Sequence, residues 1–105
     1  MERKTRGDAL RSLGAECARF EREFERMSKM QFAAVVIEST VAELLEPVPF
    51  SKMNGRAALR TLLGWSVKFG VPVYFAGSRE LAESTTRALL EFYWRYRREG
   101  VVGRG

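Results

Sequence analysis

The segment Phe32-Ala33-Ala34-Val35-Val36-Ile37 is an unbroken apolar run that ends in Glu38. It is rich in β-branched residues and too short for a buried helix of ordinary length, so it reads as a strand covered on both faces. A strand of that kind needs helices above and below it, which restricts the chain to a layered α/β arrangement. Val71 to Ala76 is a second run of the same character, and residues 2 to 5 read as a further strand. The resulting order, strand, helix, strand, helices, strand, helix, is that of parallel β-α-β units whose crossovers are right-handed.

The helices announce themselves by period and by caps. Gly7-Asp8 supplies a turn and an N-cap, after which Leu10, Leu13, Cys17, Phe20, Phe24 and Met27 recur at steps of three and four and form one apolar stripe on a single helix. Arg19, Glu21, Arg22, Glu23, Glu25 and Arg26 cover the remainder as a solvated face. Thr40 to Leu45 reads as a short helix stopped by Pro47 and Pro49. Asn54 caps a second long helix with the stripe Ala58, Leu62, Trp65 and Phe69, and Gly70 ends it. Ser78 caps a last helix that runs to about Arg98, with Gly100 as its stop and residues 100–105 as a mobile tail.

A chain of 105 residues with 46% hydrophobic residues can bury one core but not two, so residues 1–99 are expected to form a single domain. No apolar stretch approaches the ~20 residues of a membrane span, and the charged N-terminus lacks the apolar segment of a signal peptide. The expectation is therefore a soluble, cytoplasmic protein without a membrane partner. With one cysteine and no histidine, an internal disulfide and the usual zinc sites are excluded, and any metal would sit on oxygen ligands, which favours Mg²⁺ or Mn²⁺. The net charge of +5, from 18 basic and 13 acidic side chains, suits a polyanionic partner without requiring one.

Positions two apart on a strand point to the same face, so Glu2 and Lys4 converge. A carboxylate that can hold a hard divalent cation beside an amine that can orient a water has the geometry of a metal-dependent phosphodiesterase site. The triplet alone is better described as a solvated first strand. Asp8 is either a simple helix cap or a cap that also lends its carboxylate to the site. Arg3 points the other way, while its backbone carbonyl stays available to a metal. Glu38, at the end of a buried strand where α/β sites form, is a second-tier candidate.

The longer string Glu2-Arg3-Lys4 followed by Asp8 resembles the E-R-K-x-x-x-D motif of the XPF/Hef family of structure-specific DNA nucleases. Phe20-Glu21-Arg22-Glu23, the run from Phe32 to Glu38, Ser51-Lys52-Met53-Asn54 and the stretch from Val73 to Arg79 are similar to the compact bacterial and phage versions of that domain, so the resemblance spans nearly the whole chain. It implies a restriction-endonuclease-like fold that lacks the first strands of the usual core, because the family's upstream Gly-Asp has no counterpart here. Glu16-Cys17 stands where the family often has Gly-Arg. The implied activity is hydrolysis of phosphodiester bonds in branched or junction DNA during repair or recombination. Glu2 and the Arg3 carbonyl would hold Mg²⁺ or Mn²⁺, Lys4 would position the attacking water and Asp8 would support the site. The rival expectation is a catalytically incomplete nuclease-like module that serves DNA binding or dimerisation.

Two surfaces suggest partners. Lys52, Arg56 and Arg60, spaced by four at the start of the second long helix, make either a phosphate track or a solvated basic face. The last helix carries one apolar stripe, Leu81, Thr85, Leu89, Phe92 and Tyr96, and part of another, Leu90, Tyr93 and Trp94. The second set is expected to form a homodimer interface, in keeping with the resemblance, unless one wide buried face takes both.

Overall fold

The computed structural model describes residues 1–47 and 54–101. Its sheet has three parallel strands in the order β1 (Glu2–Thr5), β2 (Val35–Glu38), β3 (Val73–Phe75). The apolar run does lie at the centre: Ala34, Val35, Val36 and Ile37 are fully buried. Pairing begins at Val35 and extends through Glu38, so the strand is set a few residues later than the run itself. Helices α1 (Arg6–Leu13) and α2 (Cys17–Met27) join β1 to β2, and α3 (Val41–Leu44) and α4 (Gly55–Phe69) lie between β2 and β3.

Side chains alternate along β2. Ala33, Val35 and Ile37 enter a core with Leu10, Phe20, Phe24, Leu62 and Trp65 from α1, α2 and α4. The opposite face, with Ala34 and Val36, is covered by α5 (Arg79–Arg98), which packs on β2. Aromatic edges hold the first layer together. Phe20 and Phe24 meet at 5.2 Å, and Trp65 reaches both at 5.7 and 5.4 Å.

Four sequence expectations need correction. The first stripe lies on two helices rather than one, because Gly14 leaves helical geometry at φ −95° and ψ −102° and its N–H closes α1 on the carbonyls of Leu10 and Arg11. A straight helix over the whole stripe would be about 30 Å long, whereas a four-residue strand spans only about 13 Å. The break folds both halves back over the core.

Asp8 is not the cap. Thr5 ends β1 and accepts the Asp8 N–H at 3.1 Å, so α1 starts three residues early and Asp8 lies in its first turn. Among the described residues β3 is an edge strand paired with β2 alone, and with Tyr74 exposed and Val73 and Phe75 half-buried it is not covered on both faces. Finally, the α5 face toward the sheet is not the stripe from Leu81 to Tyr96. Ala82 is the buried residue of α5, Thr86, Leu89 and Tyr93 continue its line, and Leu81, Phe92 and Tyr96 are exposed. Small side chains let α5 approach β2 closely at Ala82, and the bulkier residues flank that line.

The remaining boundaries match the sequence. Asn54 caps α4 through the amides of Arg56 and Ala57, Gly70 closes it at φ 66°, and Ser78 caps α5 through the Leu81 amide. Thr40 and Glu43 form a reciprocal capping box on α3. Pro49 and the end of the glycine-rich tail lie outside the described residues, as does Lys52.

Candidate functional site

Glu2 and Lys4 pair in register with Val35 and Ile37, and therefore share the face of the sheet that α1, α2 and α4 cover. β1 has no strand on its outer side among the described residues, which leaves both side chains at the rim of that layer. Lys4 Nζ lies 3.6 Å from Glu2 Oε1, with the Lys4 side chain 15% exposed and that of Glu2 35%. Beneath the ammonium is the ring of Phe20, 4.9 Å from its centroid, so an apolar floor backs the pair.

The backbone of β1 adds one more donor. The Glu2 N–H donates to the Ala34 carbonyl at 2.9 Å. Residues of a parallel strand direct both backbone groups alternately to one side and the other, so the Arg3 N–H and carbonyl face the open edge. The Arg3 side chain takes the other face of the sheet. There it lies 3.4 Å from Glu38 and 4.0 Å from Glu83, and Glu83 in turn meets Arg79 at 3.4 Å.

This network ties β1, β2 and α5 together and accounts for Glu38. The second-tier candidate shares the Arg3 face, across the sheet from Glu2 and Lys4, and is not brought into their company. Asp8, half-exposed, pairs with Arg11 at 3.4 Å within α1. Among the described residues, no three side chains of Asp, Glu, Cys or His gather closely enough to share one ion.

One residue was misjudged by pattern alone. Glu23 falls in the run assigned to a solvated face, yet its side chain is only 21% exposed and its Oε2 is buried without a hydrogen-bond partner. It lies one helical turn beyond Phe20, at the margin of the apolar stripe, and that marginal position was the available signal.

The basic track is present in part. Arg56 and Arg60 are exposed one turn apart on α4, in the helical layer on the Glu2–Lys4 side of the sheet, and neither has a carboxylate within ion-pair distance among the described residues. On α5, Leu90 and Trp94 are exposed as expected, whereas Tyr93 turns inward. It stacks on Phe32 at 4.7 Å and donates from its hydroxyl to Gln31.

Together these features define an α/β domain with a charged pair on an edge strand of a three-stranded parallel sheet. No family model, curated protein or solved structure matches the chain. No helix among the described residues is long and apolar enough to cross a membrane.

Proposed function

We propose that this chain is a metal-dependent endodeoxyribonuclease domain of the restriction-endonuclease-like kind, acting on branched or junction DNA. The observation that carries the reading is the convergence of Glu2 and Lys4 on one face of an edge strand, backed by Phe20, with the Arg3 carbonyl turned to the open side. Mg²⁺ keeps several waters and needs only one or two protein carboxylates beside substrate phosphate. The Glu2 carboxylate and the Arg3 carbonyl are hard oxygen donors that fit it, or Mn²⁺, and the bound ion would neutralise phosphate charge and make a water acidic.

Lys4 orients the attacking water with its ammonium and offers a proton donor to the phosphate oxygens. Phe20 keeps the underside of the pair dry, which strengthens its field at the phosphate. Asp8 places negative charge in the first turn of α1 and steadies that helix beside the strand. Water then displaces the 3′ oxygen in line. The family resemblance requires one more carboxylate, which the described residues do not place beside Glu2.

The test is manganese-dependent cleavage of labelled branched DNA by the chain and by Glu2→Ala and Lys4→Ala. Loss of cleavage in both, with unchanged circular dichroism, supports the assignment. Full activity in Glu2→Ala overturns it.

A second reading is an incomplete nuclease-like module that serves DNA binding and self-association. It is favoured by the flank of α5 formed by Leu81, Phe92 and Tyr96, which is apolar and exposed. Burying this flank against a second copy would give a two-fold homodimer.

A further inference from the structure

The last turns of α5 have a second flank of different character. At 100° per residue, Arg87, Leu90, Trp94 and Arg98 fall on one side of the helix, away from Leu81, Phe92 and Tyr96. Trp94 is 56% exposed, more than Phe92, Tyr96 or Tyr74. Leu90, Tyr93 and Trp94 border an open groove of about 440 Å³ that Met1, Met30 and Phe32 complete.

One arginine packs on two of the rings that line this groove, and Arg87 and Arg98 lie on the Trp94 side of the same helix. Arg97 lies over the rings of Trp94 and Tyr93, at 5.7 and 6.0 Å, and donates from one terminal nitrogen to the Tyr93 hydroxyl at 2.8 Å and to Gln31. It is thereby fixed, with the rest of its guanidinium uncommitted. Arg95 is neutralised by Glu91 at 3.1 Å, but Arg87, Arg97 and Arg98 have no carboxylate within ion-pair distance among the described residues.

Charge decides the occupant. A second copy centred on Trp94 would set these arginines against their own equivalents, at a cost that the apolar contact must overcome. Duplex DNA would offer phosphates but keep its base faces stacked within the helix. A single strand offers both phosphates and open base faces, the combination that aromatic and arginine platforms recognise. We propose that the Trp94 flank of α5 binds single-stranded nucleic acid, with a base stacked on Trp94 and phosphates at Arg87 and Arg98. The inference shares the nucleic-acid partner of the proposed function and needs none of the chemistry at β1.

The probe is a fluorescein-labelled oligothymidylate of about ten nucleotides, within the span that such platforms cover. Anisotropy at low salt measures its affinity, and tryptophan emission with the unlabelled strand reports stacking, because Trp65 is buried and Trp94 is not. The wild-type chain should bind and lose Trp94 emission. Trp94→Ala should weaken binding by roughly 5- to 150-fold, and Arg98→Ala should flatten the salt slope by about 0.7. Glu2→Ala should bind as the wild type does, even where it abolishes cleavage, so failure at β1 and failure at α5 are told apart.

Absence of binding, or undiminished binding by Trp94→Ala, overturns the proposal. So does a dimer that Trp94→Glu dissociates and whose Trp94 emission ignores the strand. If Trp94→Ala loses its helical signal, the salt slope of Arg98→Ala decides: a slope equal to that of the wild type also overturns it.

Discussion

Single residues here act through the company that the sheet gives them. The lone strand-end hydroxyl of Thr5 holds the α1 amide at Asp8, so Thr5→Ala should cost about 1 kcal/mol, seen as a lower urea midpoint. Asp8→Ala, which loses an exposed pair with Arg11 and a negative charge in the first turn of α1, should cost no more than about 1 kcal/mol. Glu23 is the reverse case. One of its oxygens is buried without a partner while the other meets Arg19 only at 3.9 Å, and a neutral amide costs less to bury than a carboxylate, so Glu23→Gln should raise the urea midpoint, by up to about 1 kcal/mol of stability. At the basic track, removing Arg56 or Arg60 should lower duplex affinity and reduce the salt slope by about 0.9 for each phosphate that is no longer neutralised. Unchanged slopes would return those two arginines to the solvent.

At the scale of elements, α4 begins close against the end of α3. A Cβ on Gly55 would collide with the Leu44 carbonyl oxygen, a backbone atom that cannot step aside. Alanine ordinarily gains nearly 1 kcal/mol over glycine within a helix, but here overpacking of roughly 1–3 kcal/mol should win. Thermal melts of Gly55→Ala should therefore show destabilisation. The elements themselves were largely legible, because caps are local chemistry: Asn54, Ser78 and Gly70 each act within one turn of their own position. The break at Gly14 was not, since the stripe keeps its period across it and only the length of the sheet requires the fold-back. The orientation of α5 escaped for a related reason. Two apolar lines compete on that helix, and close packing on β2 selects Ala82 over the larger Leu81. At the site, the period of two was enough to pair Glu2 with Lys4. The separation of Glu38 from them follows from strand register, which depends on partners far away in sequence.

As a whole molecule, the domain has a helical layer with a real core on one side of its sheet and one long helix on the other. Self-association through the apolar flank of α5 should make the chain a dimer by light scattering at micromolar concentration, and Phe92→Glu should return it to a monomer; a wild-type monomer would remove the dimer from the second reading. The principal extents of 50 × 28 × 16 Å have a consequence for heat as well. A slab this thin keeps much of its apolar surface within one side-chain length of water, so unfolding newly hydrates less of it. The heat-capacity increment should then fall at or below the low end of the usual range of roughly 12–15 cal/mol/K per residue. A calorimetric scan should trace a broad, shallow dome of stability, under which cooling costs the fold little.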